Sequence, residues 1–460
     1  MIQIKNRRDQ KIALFGLGSS GLIAARALAA SGVTILAWDD SAIQRKIAKE
    51  QAIPLQDLYS YDFTDIDALI LAPGVPLTHN PHTIVKKAHV ARRPIIGDIE
   101  LLVEACPASQ FIGITGTNGK STTTALLGHI LKTAGVKTQI GGNIGPPALG
   151  FRQPDNKEII VLELSSYQLD LTKNATFDIA AFLNLSPDHI DRHGNMSSYL
   201  NAKRKIFRNR KNTTNQQVAI IGVDDEYGRS LYEEFTTNPL WKTLPISGSK
   251  IVPNGFYVRN GKLYDTSGLV ICDLGQASNL LGIHNWQNAA TAAAIGHVIG
   301  INNEILTDAF YSYQGLSHRM EDLGSINGIQ FINDSKATNC EAAARALACF
   351  ENIFWIAGGL AKEQDLTVLE PYLSKIRHAF LIGDSAKKFA SVFTGKINIT
   401  KCCDLRTATQ EAFRMAVTDI TGKATILLSP ACASFDQWSN FEARGDAFKS
   451  FVTSLSGNLE

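Results

Sequence analysis

The feature that most constrains this chain is the glycine-rich segment Gly113-Ile114-Thr115-Gly116-Thr117-Asn118-Gly119-Lys120-Ser121. It follows the apolar pair Phe111-Ile112 and leads into a helix-forming run from Thr122. This order predicts a strand, a tight loop and a helix whose N-terminus can bind phosphate, with Lys120 at the outer phosphates and Ser121 on Mg²⁺. The strict G-x-x-x-x-G-K-[ST] pattern is not met, because Gly113 comes one residue early. We predict a nucleoside-triphosphate phosphate loop rather than a chance Gly-Lys-Ser in a surface loop.

The composition is that of a globular protein with more than one domain. The chain has 460 residues, of which 45% are hydrophobic and 19% charged, and its formal charge is +2. This length fits two or three domains. No basic run suggests nucleic acid, and no apolar stretch approaches the ~18 residues of a membrane span. The seven cysteines are scattered without a C-x-x-C pair. We therefore expect a cytoplasmic protein with no disulfide framework and no zinc site.

The first part of the chain alternates strands and helices. We predict strands at Lys11–Phe15, Thr34–Trp38 and Ala68–Leu71, and a helix over Leu22–Ala30. Between the first strand and the helix stands Gly16-Leu17-Gly18-Ser19-Ser20-Gly21, and Asp39 follows the second strand. Taken alone, this G-x-G-x-x-G pattern with an acidic residue predicts a dinucleotide-binding Rossmann domain.

Two further α/β units follow. The predicted strands of the second are Ile159–Leu162, Ile179–Leu183 and Val218–Ile221, with a helix over Asn288–Ile295; those of the third are Gln330–Ile332, Ile353–Ala357, Ala379–Ile382 and Thr425–Leu428. Strands that alternate with helices predict parallel sheets with ligands at the carboxyl ends of the strands. We expect an α/β protein of three domains: an N-terminal Rossmann-like domain (1–98), a central P-loop domain (99–315) and a C-terminal Rossmann-like domain (316–460).

Several polar residues follow the predicted strands of the second unit. Glu163 could bind Mg²⁺ at the tip of its strand, or it could cap the helix near Ser165. The segment Asp188-His189-Ile190-Asp191-Arg192-His193 could bind metal, act in acid–base chemistry or form a hydrogen-bonded loop. Lys203, on a helix that we expect to begin at Tyr199, is most simply a solvated side chain. Asn285 and Asn288 share a helix face and could contact a base or cap the helix.

In the third unit, three segments follow strands and should converge on one edge of the sheet. They are Asn333–Asn339, Ala357–Lys362 and Ser429–Asp436. Their basic residues Lys336 and Lys362, with Arg319 nearby in sequence, suggest an anion site rather than bland surface loops.

Together these segments resemble the Mur ligase family, ATP-dependent enzymes that form amide bonds in peptidoglycan precursor synthesis. The family's phosphate loop reads GxxGTxGK[ST], which Gly113 to Ser121 fit. Glu163-Leu164-Ser165-Ser166-Tyr167-Gln168-Leu169, Gly141–Gly145, His189, Lys203, His284-Asn285 and His318-Arg319 stand in family order over nearly the whole chain. The segments Asn333–Asn339 and Leu428–Gly445 point to the member that adds D-glutamate, and the D-N-P-R motif of the diaminopimelate-adding member is absent.

The resemblance implies the substrates and the residues that bind them. The first domain would hold the uridine nucleotide of UDP-N-acetylmuramoyl-L-alanine, the central domain ATP and two Mg²⁺ ions, and the third D-glutamate. ATP would contact Gly116, Thr117, Asn118, Gly119, Lys120, Ser121, Thr122, Asn285, Asn288, Arg319 and Asp334. The UDP substrate would contact Gly18, Ser19, Ser20, Asp39, Gly74, Asn143, Ser165 and Gln168. D-glutamate would contact Thr338, Lys362, Ser434, Phe435 and Phe441.

The resemblance also implies the metal ligands and the residues of the reaction. Ser121 and Glu163 would serve one Mg²⁺, and His189 and a carbamylated Lys203 the other. Lys120, His189, Lys203, Arg319, Asp334 and Lys336 would act in catalysis, and His189 is by sequence the nearest candidate to take a proton from the attacking amine. We expect a monomer.

One segment departs from the family pattern. After the second strand this chain reads Asp39-Asp40-Ser41, where family members carry Asp-Thr-Arg, with the Thr and Arg touching the uridine-containing substrate. Asp40 and Ser41 therefore leave open how this chain contacts that substrate, while the role that the resemblance implies for the domain is unchanged.

Three other functions fit parts of the sequence. A folylpolyglutamate synthetase shares the ligase fold but begins directly with the ATPase domain. An NAD-dependent dehydrogenase fused to a kinase-like domain would explain the first glycine loop and Asp39. A nucleotide-sensing protein without catalysis would explain the phosphate loop, but it would not need Glu163, His189 and Lys203.

Overall fold

The structure, a computed structural model, describes residues 1–210, 216–280, 282–360, 365–419 and 423–457. They form two compact units, the first made of Met1–Gln276 with Asn285–Tyr311 and the second of Ala277–His284 with Ser312–Glu460. The first unit contains a four-stranded and a nine-stranded sheet, and the second contains a six-stranded sheet. Among the described residues, no helix has both the length and the apolar character needed to span a bilayer.

The strands alternate with helices along most of the chain. The strands are β1 (Lys11–Phe15), β2 (Thr34–Trp38), β3 (Ala68–Leu71), β4 (Ile95–Ile96), β5 (Gln110–Thr115), β6 (Thr138–Gly142), β7 (Ile159–Glu163), β8 (Ile179–Phe182), β9 (Gln217–Gly222), β10 (Trp241–Ser247), β11 (Phe256–Arg259), β12 (Lys262–Tyr264), β13 (Val270–Asp273), β14 (Glu321–Ile326), β15 (Ile329–Asn333), β16 (Ile353–Gly358), β17 (Ile376–Ile382), β18 (Ile399–Lys401) and β19 (Thr425–Leu428). The α-helices are α1 (Ser19–Ala30), α2 (Ala42–Glu50), α3 (Thr83–Val90), α4 (Asp98–Ala105), α5 (Lys120–Thr133), α6 (Ser166–Asp170), α7 (Ile190–His193), α8 (Met196–Arg204), α9 (Glu226–Thr236), α10 (Ile283–Ile299), α11 (Asn303–Ser312), α12 (Cys340–Ala348), α13 (Ala386–Phe393), α14 (Leu405–Thr418) and α15 (Phe441–Gly457).

The four-stranded sheet has the order β2-β1-β3-β4, and all of its strands are parallel. The predicted bounds of β1, β2 and β3 are confirmed. Strand β3 is buried along its whole length, which matches its continuous apolar sequence. Helix α1 begins at Ser19, earlier than the predicted Leu22, because Gly18 in extended conformation ends the glycine loop there.

The nine-stranded sheet has the order β13-β12-β11-β10-β9-β8-β5-β7-β6. Strands β5 to β11 pair in parallel. This confirms the parallel pairing expected for β5, β7, β8 and β9, whereas β6, β10 and β11 were not predicted as strands. Strands β11, β12 and β13 pair antiparallel, so the expectation of parallel strands is wrong at this edge. The turn between β11 and β12 is Asn260-Gly261, with φ of 52° and 76°. Asn-Gly is the common sequence of two-residue hairpin turns and could have been recognised.

The six-stranded sheet of the second unit has the order β14-β15-β19-β16-β17-β18. Strands β15 to β19 pair in parallel, and β19 has its predicted bounds. Strand β14 was not predicted and pairs antiparallel with β15 through a second Asn-Gly turn, Asn327-Gly328. Two apolar layers cover the two faces of this sheet, one with Trp355 at its centre and one with Phe380. The division into three domains at residues 98 and 315 stays a prediction.

A buried carboxylate fixes the segment after α6. Glu100 lies on α4, and 1% of its surface is exposed. Its two oxygens accept hydrogen bonds from the backbone N–H groups of Lys173, Asn174 and Ala175 at 2.8, 2.7 and 3.0 Å. The sequence interpretation missed this contact, because residues so far apart in the chain give no local signal.

We predict that Glu100→Ala lowers the free energy of unfolding of the first unit by about 2–3 kcal/mol, since it leaves three backbone donors without their acceptor. Urea unfolding followed by tryptophan fluorescence measures the change. The control is Glu104→Ala on the same helix, whose ion pair with Arg7 is partly exposed and should contribute less than about 1 kcal/mol. Equal losses in the two variants would contradict the prediction.

Candidate active site

The predicted phosphate loop connects β5 to α5 and has the expected strand, loop and helix. Gly116 and Gly119 have positive φ of 156° and 85°, which favours glycine. A Cβ atom at Gly119 would lie 2.2 Å from Asn288 Oδ1. Residue 119 must therefore be glycine both for its backbone conformation and for the space that Asn288 occupies.

Lys120 lies across its own loop. Its Nζ donates hydrogen bonds to the carbonyl oxygens of Gly116 and Thr117 at 3.0 and 2.8 Å. The segment after β8 also holds the loop, because Asn184 Oδ1 accepts the N–H of Asn118 at 2.9 Å. Asn285 and Asn288 are buried behind the loop on α10, where Asn288 contacts Asn285 at 3.2 Å and accepts from Thr123 at 3.2 Å. Their predicted common face is confirmed.

Glu163 ends β7, the neighbour of β5, and only 1% of its surface is exposed. Asn143 Nδ2 donates to Glu163 Oε1 at 2.9 Å, whereas Oε2 is buried without a hydrogen-bond partner. The helix-capping alternative is wrong, since Ser165 caps α6 in a capping box with Gln168. A buried carboxylate oxygen with an unused lone pair fits a cation ligand.

Lys203 is buried in α8, with 1% of its surface exposed, so the interpretation as a solvated side chain is wrong. The helix begins at Met196 with Asn195 as its cap, rather than at Tyr199. Lys203 Nζ donates to Gly116 O at 2.7 Å and lies 4.7 Å from the centre of the Tyr199 ring. Burial, and then the charge of Lys120, lower the pKa of Lys203 well below its usual value.

The histidines and aspartates after β8 do not gather around one point. His189 has a left-handed backbone (φ 54°), and its Nδ1 lies 3.0 Å from the Tyr167 hydroxyl. Burial lowers the pKa of His189. His193 instead contacts Ser166 Oγ at 3.0 Å, and burial lowers its pKa to about 4. Among the described residues, no three His, Cys, Asp or Glu side chains are grouped to hold a metal ion.

Two tyrosines complete this region, and the sequence interpretation missed their contacts. Tyr199 packs on His193 and Lys203, and its hydroxyl lies 3.2 Å from Thr117 Oγ1 in the phosphate loop. Tyr167 lies against His189, with ring centres 5.0 Å apart. The i, i+4 spacing of Tyr199 and Lys203 on one helix was the available signal.

The carboxyl end of the four-stranded sheet carries the other glycine loop. Gly16 has a φ of 97°, and the chain turns there into α1. Asp39 Oδ2 accepts the N–H of Leu17 at 2.6 Å, and Oδ1 accepts the N–H of Ser41 at 2.7 Å. Oδ2 of Asp39 therefore holds the glycine loop, while Oδ1 fixes the start of α2.

A cavity of about 840 Å³ in the first unit is lined by residues from both of its sheets. The predicted site residues in its wall are Gly18, Ser19, Ser20, Asp39, Gly74, Lys120, Asn143, Ser165, Gln168, His189 and Lys203. All the residues predicted to contact the UDP substrate thus line one cavity. Ser121, Thr122 and Glu163 are buried beside the phosphate loop.

In the second unit, the three predicted segments meet at the carboxyl ends of β15, β16 and β19, as expected. Asp334 Oδ2 accepts from Ser429 Oγ at 2.8 Å, and Leu360 N donates to Ala433 O at 2.9 Å. Burial raises the pKa of Asp334 to about 7. Lys336 Nζ lies 5.2 Å from the centre of the Phe441 ring.

The remaining predicted residues of the second unit differ in exposure. Arg319 and Thr338 are partly exposed, Ser434 is buried and Phe435 is 67% exposed. Lys362 lies outside the described residues. Arg444, whose role the sequence did not indicate, is fully buried and donates to Ser335 Oγ, Ser335 O and Cys432 O at 3.0, 2.8 and 3.0 Å.

Comparisons with known proteins match nearly the whole chain. Residues 114–296 match the Mur ligase middle domain, and residues 318–432 match the glutamate ligase domain of Mur ligases. A Caulobacter vibrioides protein named UDP-N-acetylmuramoylalanine--D-glutamate ligase is 44% identical over 467 aligned positions, covering 99% of this chain and 98% of that protein. A protein of the same name from Caulobacter sp. strain K31 is 44% identical over 466 positions, with the same two coverages of 99% and 98%.

Solved structures agree on the fold. The MurF ligase of Thermotoga maritima in complex with ADP has a TM-score of 0.61 and 15% identity, and the match covers 99% of this chain and 100% of that one. Since the curated relatives are similar over almost their full length and both domain models match in order, the chain belongs to the Mur ligase family.

Proposed function

We propose that this chain is an ATP-dependent ligase that adds D-glutamate to UDP-N-acetylmuramoyl-L-alanine through an acyl phosphate, a step of peptidoglycan precursor synthesis. The observation that carries the proposal is the cavity of the first unit, whose wall contains the glycine loop of one sheet and Lys120, His189 and Lys203 of the other. Such a cavity can hold a nucleotide-linked carboxylate next to the phosphates of a second nucleotide, as this reaction requires. The names of the 44% identical relatives support the choice of substrates.

The residues around the phosphate loop fit ATP and Mg²⁺. The loop from Gly116 to Thr122 would bind the phosphates, with Asn285 and Asn288 toward the base. Ser121 and Glu163 would hold one Mg²⁺, which suits the buried and unpaired Oε2 of Glu163. His189 and Lys203 would hold a second. Bound Mg²⁺ supplies positive charge that offsets the repulsion between an attacking carboxylate and a phosphate.

Lys203 can take this role only as an anion. Burial lowers the pKa of Lys203 and so favours its neutral amine, which can add CO₂ and lose a proton to form a carbamate. The carbamate has one negative charge shared by two oxygens, and it would place this charge next to the Lys120 ammonium. We therefore propose that the active protein carries carbamylated Lys203.

The reaction follows from these positions. The terminal carboxylate of the UDP substrate attacks the γ-phosphorus, the bond to the bridging oxygen of ADP breaks, and an acyl phosphate forms. Lys120 would offset the charge on the transferred phosphoryl group. The neutral amine of D-glutamate then attacks the acyl carbon, phosphate leaves, and the nitrogen loses a proton as the amide forms.

D-glutamate would bind at the carboxyl edge of the second unit's sheet. Thr338, Ser434, Phe435 and Phe441 are the candidates, with Lys362 pairing to a carboxylate. Asp334 and Lys336 border the same edge.

We assign residues 1–98 to the UDP substrate, 99–315 to ATP and 316–460 to the amino acid. We also propose that the chain works as a monomer in the cytoplasm. Its seven cysteines are all free thiols, in keeping with a reducing compartment.

We predict that Lys120→Ala lowers turnover by about 10³-fold or more, because the transferred phosphoryl group loses its positioned cation. Phosphate release in the presence of both substrates measures turnover, and circular dichroism checks the fold. Lys132→Ala, an exposed lysine on the same helix, serves as the control and should keep full activity. Wild-type turnover in Lys120→Ala would reject the phosphate-loop assignment.

We predict that Lys203→Ala is nearly inactive and is partly rescued by acetate or propionate, which can place a carboxylate where the carbamate stood. Carbon NMR of protein equilibrated with ¹³CO₂ should give a carbamate signal that the variant lacks. Arg204→Ala, an exposed neighbour on the same helix, controls for the loss of positive charge. Full activity without rescue, or no carbamate signal in the wild type, would remove this role.

We predict that phosphate release from ATP, Mg²⁺ and UDP-N-acetylmuramoyl-L-alanine occurs with D-glutamate and not with L-glutamate, D-aspartate, L-alanine or diaminopimelate. The five amino acids are compared in parallel in one coupled assay. Release with a different amino acid would keep the ligase reaction and change the substrate. No release with any of them would reject the proposed function, and NAD binding would be tested next.

A further inference from the structure

One arginine joins the two sides of the cavity wall. Arg192 lies on α7, and 8% of its surface is exposed. Its Nη2 donates hydrogen bonds to Val75 O at 2.6 Å and to Pro73 O at 3.4 Å, both in the loop after β3. Its guanidinium carbon lies 5.1 Å from the centre of the Tyr167 ring, on the helix after β7. Pro73, Val75 and Tyr167 all line the cavity, so Arg192 contacts residues that belong to both sheets of the first unit.

The charge of Arg192 is held by these contacts. Burial lowers the pKa of Arg192, and the charge of Asp170 opposes this effect. Asp170 is itself paired with Lys205, whose Nζ lies 2.6 Å away. Within the part of the chain that the structure describes, Nη1 of Arg192 is buried and has no hydrogen-bond partner. A guanidinium stays protonated in proteins, so the loop carbonyl oxygens and the face of the Tyr167 ring stabilise its charge and are held together by it.

The contact with the loop fixes the direction of a backbone donor. The loop reads Ala72-Pro73-Gly74-Val75-Pro76, and its two prolines have no N–H with which to anchor it. In a trans peptide the C=O and the next N–H point in opposite directions, and none of the described peptide bonds is cis. Because Pro73 O accepts from Arg192, the N–H of Gly74 points away from the arginine. This N–H makes no backbone hydrogen bond within the described ranges, so it is available to a ligand in the cavity that Gly74 lines.

The contact with Tyr167 bears on the other side of the cavity. The Tyr167 hydroxyl lies 3.0 Å from His189 Nδ1, and the two rings have centres 5.0 Å apart. The guanidinium on the Tyr167 ring limits how that ring can turn, and the hydroxyl in turn limits the orientation of the imidazole. A hydrogen bond to one ring nitrogen is the usual way in which a protein orients a histidine that binds a metal ion.

We propose that Arg192 is a positioning residue that holds the loop of residues 73–75 for the UDP substrate and, through the Tyr167 ring, holds His189 for its metal ion. The inference rests on the proposed function, which brings the UDP substrate and Mg²⁺ to this cavity. Another contact of the same loop, from Thr78 Oγ1 to Asp170 Oδ2 at 3.3 Å, is uncharged on the loop side and longer than the bond to Val75. Arg192 is therefore the stronger of these two links between the loop and the nine-stranded sheet's helices.

The test measures binding by calorimetric titration of the full chain with UDP-N-acetylmuramoyl-L-alanine and, separately, with ADP in the absence of divalent cations. Arg192→Gln should bind the UDP substrate about tenfold more weakly than the wild type, as expected for the loss of a charged hydrogen-bond donor. Its affinity for ADP should stay within about twofold, because the phosphate loop does not contact Arg192. Arg192→Lys keeps the charge but not the planar fork, so it should regain only part of the affinity.

Tyr167→Phe separates the two halves of the proposal. It keeps a ring under the guanidinium but removes the hydroxyl from His189. Its affinity for the UDP substrate should therefore match that of the wild type, whereas its binding of Mn²⁺ at saturating ADP, followed by electron paramagnetic resonance, should be about tenfold weaker. Arg192→Gln should weaken both the binding of the UDP substrate and the binding of Mn²⁺.

The control is Arg208→Gln, a matched arginine of the same unit. Arg208 is also partly buried, also donates to a backbone carbonyl, that of Thr172 at 3.3 Å, and also has a buried Nη1 without a partner among the described residues, but it does not line the cavity or contact the loop. It should bind the UDP substrate and Mn²⁺ as the wild type does.

Three results would overturn the inference. They are wild-type affinity for the UDP substrate in Arg192→Gln, an equal loss of affinity for ADP and the UDP substrate, and wild-type affinity in Arg192→Lys, which would make charge alone the cause. Unchanged Mn²⁺ binding in Tyr167→Phe would overturn the part that concerns His189. A wild type that does not bind the UDP substrate would reject the proposed function and this inference with it, whereas the other results reject only the inference.

Discussion

The active region depends on one backbone carbonyl that two lysines share. Gly116 O accepts Lys120 Nζ at 3.0 Å and Lys203 Nζ at 2.7 Å. Two ammonium groups this close repel each other, and one of them is almost fully buried, so the neutral form of Lys203 is favoured. The phosphate loop is thus a concentration of positive charge. The proposed phosphate at Lys120 and the proposed carbamate on Lys203 would both relieve that repulsion.

The two loops that border the cavity have the same backbone architecture but carry different numbers of charged side chains. Both are glycine turns between a parallel strand and a helix, so both direct backbone N–H groups toward an anion. The phosphate loop adds Lys120 and a buried carboxylate, Glu163, with an unpaired oxygen. The loop at Gly16 adds no lysine, and Asp39 Oδ2 holds it by accepting the N–H of Leu17. This difference suits the loop at Gly16 to binding a diphosphate and the phosphate loop to transferring a phosphoryl group.

Local sequence patterns predicted most of the framework. The apolar strands β1, β2, β3 and β19 have their predicted bounds, because each is a short apolar segment that stops at a turn residue. The hairpins at Asn260-Gly261 and Asn327-Gly328 were missed, although their turns carried a recognisable signal.

The sequence predicted some residues of the candidate site but not the long-range contacts that position them. Lys120 and Glu163 were identified from their place after a strand. The burial of Lys203, and the contacts of Glu100 and Arg444 with distant backbone, could not be predicted, because they depend on which elements pack together rather than on neighbours in the chain. The hydrogen bonds of the two histidines have the same cause: His189 and His193 both pack on Tyr167 and Tyr199, but His189 contacts the Tyr167 hydroxyl and His193 contacts Ser166 Oγ.

The contact between Gly119 and Asn288 bears on how this site can evolve under an inhibitor. A side chain at position 119 would collide with the Asn288 amide, which is buried behind the phosphate loop. A resistance mutation that places a side chain at position 119 would therefore require a compensating substitution on α10. That second substitution would in turn alter nucleotide binding. A compound whose affinity comes from backbone contacts around Gly119 leaves the chain few single-residue routes to resistance that keep the enzyme active.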